Sequence, residues 1–492
     1  MEARNVVVIG AGISGLAAAA ALAQQGARVT VLEKNQAAGG RARTWETQGF
    51  RFDMGPSFYW MPDVFERFFG RFGQPIKDFL DLRRLDPSYQ VIFGEGDRWL
   101  LPAGCDAVAA LFGREEPGAD AALGRFLDEA RLKYDLGMKD AVYLPSLSWA
   151  EYLRPRLVAG LLSTTAITPL RRHVRKHFIS PRIRQVLEFP SLFLGSVPQR
   201  TPALYSLMNH ADIDLGTWYP MGGMGKVPEA LCRLAERQGA TVRTGEEVSR
   251  IVVEHGQVTG VQTANGFHQA DVVLATADRH HVEQRLLDEQ HRSYTERYWA
   301  SRVMAPGTLL FFIGLDRKLP GMTHHTLYFD APLDDHAEDL ASGRWPRNPL
   351  FYLSCTSVTD PSTAPPGCEN LVLLVPVPSG GEDTPALRNH VFGLLAERIR
   401  RHAGVDIRPH ITVFRSHGLT DLQQDYHAFR GNAYGLASTL RQTGPGRPAM
   451  RSRKVKGLYF AGQLGVPGPG MPPALISGQV AADLILKDHG RT

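Results

Sequence analysis

Residues 6–45 read VVVIGAGISGLAAAAALAQQGARVTVLEKNQAAGGRARTW. A β-branched run, Val6 to Ile9, enters Gly10, Gly12 and Gly15; an Ala-rich helix and a second strand, Arg28 to Leu32, follow, ending on Glu33. The spacing predicts a βαβ unit that holds a dinucleotide. Gly10 permits the tight turn, Gly12 lets the backbone approach the pyrophosphate, and Gly15 lets the helix pack close to the strand. The helix N-terminus offers unpaired N–H groups and partial positive charge to phosphates. Glu33, 21 residues after Gly12, is placed to accept hydrogen bonds from both ribose hydroxyls, and its charge disfavours a 2′-phosphate.

Gly39-Gly40-Arg41-Ala42-Arg43 comes soon after the ribose acid. The glycines allow close backbone approach, and the arginines can bridge to phosphate oxygens. This segment resembles the second signature of a large flavoprotein group that includes amine oxidases, protoporphyrinogen oxidases and carotenoid desaturases. The resemblance implies FAD rather than NAD.

The chain has 492 residues, enough for two or three domains and a large core. Its composition, 43% hydrophobic and 21% charged, is that of a globular protein. The net charge of +5 is modest and no Lys/Arg tract suggests nucleic acid. Cys105, Cys232, Cys355 and Cys368 lack metal-ligand spacing and read as reduced thiols, and no metal site is expected. No signal peptide and no unbroken apolar run of about 18 residues is expected. These readings predict a cytoplasmic protein whose membrane contact is peripheral.

The expected fold is α/β, with a Rossmann-like cofactor domain built from three pieces, 1–75, 216–290 and 451–492. The second piece contains the helix 227–238 and the strands 247–254, 258–263 and 270–276. The third contains the strand 458–461 and the helix 473–486. Between these lie 76–215, helical by pattern, and 291–450, with apolar strands such as 309–313 and 371–376 and a helical stretch, 386–401. Together the insertions form an α+β substrate domain, and a cleft beside the cofactor domain is the expected site.

Over nearly its whole length the chain resembles bacterial-type phytoene desaturases, which are FAD-dependent carotenoid desaturases. The resemblance lies in Gly49-Phe50-Arg51-Phe52-Asp53-Met54-Gly55-Pro56, in Gly216-Thr217-Trp218-Tyr219-Pro220-Met221-Gly222-Gly223-Met224, in His324-His325-Thr326, in Thr359-Asp360-Pro361-Ser362, and in Leu458–Gly462 through Pro467–Pro472. It implies a cofactor set of Gly10, Gly12, Ser14, Gly15, Glu33, Lys34, Gly40, Arg41, Gly55, Pro56, Val248, Ala277, Gly462, Gln463, Met471 and Pro472. Gln463 stands where the wider flavoprotein group often carries an acid, which weakens an amine oxidase reading.

The implied reaction removes a hydride and a proton from adjacent saturated carbons of phytoene. The flavin takes the hydride, while the protein orients an apolar chain and excludes water. A helix starting near Pro472–Pro473 would aim its positive end at the flavin, with the Met471–Ala474 backbone against the ring. Oxygen or a membrane quinone could reoxidise it. Asp128 and Arg131, three apart on a helix over 121–134, match an Asp and an Arg of similar desaturases and are candidates for charge control; the competing reading is a surface ion pair. His324 and His325 are further candidates.

Residues 152–184 contain eight basic residues, Arg154, Arg156, Arg171, Arg172, Arg175, Lys176, Arg182 and Arg184, and no acid. Apolar clusters, Leu157–Leu162 and Ala166-Ile167, interleave with them. An apolar surface with a basic rim suits an anionic membrane; a solvated helix pair or a site for an acidic protein would share this composition. The alternatives to phytoene desaturation are another carotenoid desaturase or isomerase, an amine oxidase on soluble amines, and a non-catalytic FAD-fold protein such as a prenyl-protein chaperone.

Overall fold

The computed structural model describes residues 4–194 and 198–489, without the side chains of 161–163, 192–194 and 440. Of the apolar cluster 157–162, the Leu161 and Leu162 side chains therefore lie outside the described residues.

Five parallel strands form the sheet that organises the fold: β1 (Asn5–Ile9), β2 (Arg28–Leu32), β3 (Thr241–Arg243), β4 (Val272–Ala275) and β5 (Leu458–Phe460). Their spatial order is β5-β4-β1-β2-β3. They are short, mostly buried, rich in Val and Leu, and come from three distant stretches of chain. The order reverses beside β1, so the carboxyl ends of β1 and β4 open a crevice where such sheets bind ligands.

Three helices pack beside this sheet: α1 (Ile13–Gln24), α2 (Lys226–Arg237) and α3 (Met471–His489). Both α2 and α3 lie against α1. Every residue of α1 from Ile13 to Ala23 is buried, and the five consecutive alanines, Ala17–Ala21, leave room for two neighbours. At the crossing with α3, a Cβ on Gly478 would stand 2.1 Å from the Ser14 carbonyl oxygen.

A second sheet has seven strands in the order Ile411–His417, Gly307–Leu315, Glu369–Val377, Phe351–Ser354, His325–Tyr328, Tyr89–Gly94, Asp97–Leu101. Only the pairing of His325–Tyr328 with Tyr89–Gly94 is parallel. One face packs Phe311, Ile313, Leu353 and Leu373 against Leu395 and Ile399 of the helix Pro385–Ala403. The opposite face carries Leu310, Leu374 and Tyr352 and roofs a cavity.

The first insertion is less helical than its pattern suggests, because it gives two strands to this sheet. Tyr89–Ile92 is buried on both faces, so the run lacks the alternation that marks a half-buried strand. Its helices, including Cys105–Glu115, Ala119–Lys139, Pro155–Ser163 and Leu170–His177, follow from residue 105 onward. Among the described residues no helix is long and apolar enough to cross a membrane.

Candidate functional site

The glycine turns after β1 and β2 meet face to face. Gly10 has φ +102°, and a Cβ on Gly15 would lie 2.0 Å from the Gly10 carbonyl oxygen. A Cβ on Gly12 would meet nothing within 4 Å, so backbone there borders open space. Gly40 lies opposite, where its Cβ would stand 3.3 Å from Gly12 Cα. The Gly39 amide donates to the Ala11 carbonyl at 2.8 Å and locks the two turns together. Beyond β5, Gly462 (φ +106°) donates its amide to Ser477 Oγ on α3 at 2.9 Å.

Glu33 is buried and held from three sides. Its Oε2 accepts the Ala11 amide at 2.9 Å, and its Oε1 accepts the Asn35 amide at 2.9 Å and Asn35 Nδ2 at 2.8 Å. Three of roughly four acceptor sites are used, leaving one for a ribose hydroxyl where the sequence suggested two. Lys34 Nζ donates to the Gln424 carbonyl at 2.6 Å.

Arg41 borders the same space, and its Nε is buried without a partner. Burial lowers its pKa, against the attraction of Asp278. With the Gln463 amide turned so that its oxygen meets Arg41 Nη2 at 3.0 Å, its nitrogen reaches the Ala433 carbonyl at 3.1 Å. A buried guanidinium with a spare donor beside a glycine-lined gap fits a pyrophosphate.

These groups line one end of a single cavity of about 710 Å³. Ser14, Gly55, Pro56, Val248, Ala277, Gly462, Gln463, Met471 and Pro472 border it as well. Gly15 does not, because it packs under the Gly10 turn. Besides the glycine cradle, the cavity is lined by Leu310, Leu374 and Tyr352. The same cavity is lined by Met138, Leu157, Ala166, Ile167 and Leu207, and by Trp149 and Tyr152, of which Trp149 and Ile167 are exposed.

Asp128 and Arg131 do not reach the cavity. The helix Ala119–Lys139 buries Ala122, Leu123, Phe126 and Ala130, and this turns Asp128 and Arg131 into solvent. Arg131 Nη2 lies 3.5 Å from Asp214. The same helix instead presents Lys133, Leu136, Gly137 and Met138. Lys133 is buried, with Nζ 3.0 Å from Glu129 Oε1 and 3.1 Å from Ser206 Oγ. Glu129, His173 and His177 come together as three possible metal ligands, but the Lys133 ammonium already stands beside Glu129 in place of a cation.

His324 and His325 are buried. His324 Nδ1 meets Thr359 Oγ1 at 2.8 Å and His325 Nδ1 meets the Tyr352 hydroxyl at 2.6 Å. Neither Nε2 has a partner. Burial pushes His324 down to about 3 and His325 well below the ordinary imidazole range.

Two features had little signal in sequence. The helix Leu419–Tyr426 borders the cavity beside Arg41 and Arg43: Asp425 Oδ2 pairs with Arg43 at 2.8 Å, and both Arg41 and Arg43 lie over the Tyr426 ring. Tyr352 sits inside an apolar strand without a motif. Arg43 and Asp425 stand 382 positions apart, and Tyr352 meets His325 only across paired strands, so local pattern is blind to both.

A family model described as flavin containing amine oxidoreductase matches residues 13–486. The chain belongs to this family. The oxidoreductase is 38% identical over 491 residues to a carotenoid 3,4-desaturase of Haloarcula japonica, covering 99% of each chain. It is 33% identical to a zeta-carotene-forming phytoene desaturase of Myxococcus xanthus, covering 99% of this chain and 94% of that one. Among solved structures, cyclohexylamine oxidase of Brevibacterium oxydans is similar in fold, with TM-score 0.60 at 18% identity, covering 99% of this chain and 100% of that one. The cofactor is FAD, and the open glycine cradle and the orphaned Arg41 Nε fit it.

Proposed function

We propose that this oxidoreductase desaturates a carotenoid precursor, phytoene first, in carotenoid biosynthesis. The observation that carries the reading is the continuous cavity joining the FAD cradle to an apolar edge. A small amine needs no such path, whereas a long polyene does.

In this reading Gly10, Gly12, Gly40 and Gly462 give the dinucleotide backbone room, Glu33 holds a ribose hydroxyl and Arg41 meets phosphate. The flavin supplies a hydride acceptor. Leu310, Leu374 and Phe58 hold the polyene extended and keep water out. The N-terminus of α3, at Met471–Pro473, adds positive potential where reduced flavin carries charge. We assign 1–75, 216–290 and 451–492 to the cofactor unit, and 76–215 and 291–450 to the substrate unit.

The edge at Trp149 is also the proposed docking face of a cytoplasmic, peripherally bound enzyme. Trp149 (64%), Leu153 (72%) and Ile167 (67%) are exposed, with Arg154 and Arg156 beside them. Each apolar side chain buried in lipid contributes about 1.5–3 kcal/mol, and each basic group near an anionic surface about 1 kcal/mol. Arg171 adds little here, because it pairs with Asp334 at 2.6 Å and with Glu188. Arg182 is held by Asp97 and Glu115. Arg172, Arg175 and Lys176 remain beside Pro169 and Gln199. Oxygen or a membrane quinone would take the electrons onward.

A second reading, desaturation of a later carotenoid, is favoured by the higher identity to the Haloarcula enzyme. Incubation of the FAD-loaded protein with phytoene in liposomes, with chromatography of products, tests both. Loss of phytoene with new longer-wavelength absorption supports the first. Turnover only of a partly desaturated carotenoid supports the second.

A further inference from the structure

Desaturation needs an acceptor for the proton as well as for the hydride, and the exposed Asp128 and Arg131 are too far outside the cavity to serve. We propose that the Tyr352 hydroxyl, backed by His325, receives the proton that the polyene loses. This rests on the desaturase reading.

Tyr352 borders the cavity, on the sheet face that carries Leu310 and Leu374. In register across three adjacent strands, Leu310 pairs with Leu374 and Leu374 with Tyr352. The row thus offers two leucines and one hydroxyl, and the hydroxyl is the reactive group. Tyr352 also touches the segment that follows Gly55-Pro56: the Phe58 ring lies 5.3 Å from its ring. The same Phe58 stacks on His325 at 4.2 Å. Both partners are therefore pinned, and the 2.6 Å contact between the Tyr352 hydroxyl and His325 Nδ1 is held in place.

The pair has the polarity the step requires. When the hydroxyl donates to Nδ1, the neutral imidazole carries its own proton on Nε2, which faces no partner. Bound FAD would be the two-electron oxidant, taking the hydride with its electron pair from one carbon. The neighbouring C–H bond then breaks, and its electron pair becomes the new C=C bond. The released proton bonds to Tyr352 Oη as the tyrosine's own proton passes to His325 Nδ1. A C–H beside an electron-deficient carbon is a far stronger acid than an imidazolium, so a weak, buried base suffices. The proton returns along the same path when product leaves. Tyr434 also borders the cavity, but among the described residues no basic group is hydrogen-bonded to it. In this scheme Tyr352 is the catalytic residue and His325 a positioning residue that acts through it.

The test compares wild type with Tyr352→Phe and His325→Gln, each loaded with FAD and given phytoene in liposomes. FAD and polyene dissociation constants, read by fluorescence, and the melting temperature should stay near wild type. Turnover should fall about 100-fold or more, the scale of a lost general base. With deuterium at the carbon that yields the proton, the isotope effect on turnover should rise in Tyr352→Phe, because proton loss becomes the slow step. A merely structural role would not move that isotope effect. Turnover within threefold of wild type, or a fall matched by lost polyene binding with an unchanged isotope effect, would overturn the proposal. A wild-type chain that turns over no polyene would instead overturn the functional reading on which it rests.

Discussion

Gly478 and Ser14 touch where two helices from opposite ends of the chain cross, with room for a hydrogen and no more. A Cβ on Gly478 would stand 2.1 Å from the Ser14 carbonyl oxygen. That crossing fixes α1, whose N-terminus borders the glycine cradle, against α3, whose N-terminus borders the same cavity. Gly478→Ala gains helix propensity of about 1 kcal/mol but forces the backbones apart, which costs about 1–3 kcal/mol or more. The expected outcome is a lower melting temperature and weaker FAD binding together, measured by calorimetry and flavin fluorescence.

Glu33 is held by Ala11 and Asn35 before any ribose arrives. Glu33→Ala should therefore weaken FAD binding through both the lost ribose contact and the loosened β1 turn. A hydrogen bond to a charged group is worth about 2 kcal/mol, roughly 30-fold in Kd. Titration of apoprotein with FAD reads this, and Glu33→Gln should recover part of the loss.

Asp128→Asn and Arg131→Ala should leave turnover within threefold of wild type. Both residues are solvent-facing, and although Asp214 is only 11% exposed, its 3.5 Å pair with the exposed Arg131 is long and partly solvated, a kind of contact worth at most about 1 kcal/mol. Initial rates on phytoene and a melting curve check this.

Acid should destabilise the fold through its buried histidines, which outweigh the opposite effect of Asp53 and Asp212, carboxyls that burial raises to about 6. Burial pushes His173 down to about 4, His324 to about 3 and His336 to about 4, from an ordinary 6.5. The unfolded chain binds these protons first, so the stability from keeping the rings neutral is present above pH 6.5. It falls progressively as pH drops from there toward 4, by about 1.4 kcal/mol per pH unit for each ring titrating only when unfolded. Urea melts of the apoprotein at pH 7.5, 6 and 5 should show midpoints falling in that order. His324→Asn should flatten the slope.

Leu153→Glu with Trp149→Glu should reduce binding to anionic liposomes more than Arg171→Glu does. The first pair places charge on the exposed edge, whereas Arg171 is committed to Asp334 and Glu188. Flotation at low and high salt reads the difference, and binding of wild type should weaken with salt.

The cofactor half was legible because its chemistry forces residue types at short spacings. Gly10, Gly12 and Gly15, then Gly39-Gly40-Arg41, then Gly462, are each dictated by backbone that must come close to a ligand or to another backbone. Of the residues expected to meet FAD, only Gly15 stands back from the cavity. The substrate half was less legible for a physical reason. A cavity for a polyene asks only for apolar surface, which leaves no signature, and strands such as Tyr89–Ile92 that are buried on both faces lack alternation. Asp128 and Arg131 share a helix face as their spacing implies, but spacing cannot tell which face meets the cavity. Tyr352 gained its setting from pairing across strands, which the sequence does not record.

The most direct measurement of the central claim is an anaerobic titration of the FAD-loaded protein with phytoene in anionic liposomes. The flavin absorbance and the carotenoid products are followed together. The account predicts one flavin bleached for each double bond formed, with longer-wavelength polyene absorption rising in step. Flavin bleached by small soluble amines, with phytoene and later carotenoids unchanged, would contradict it.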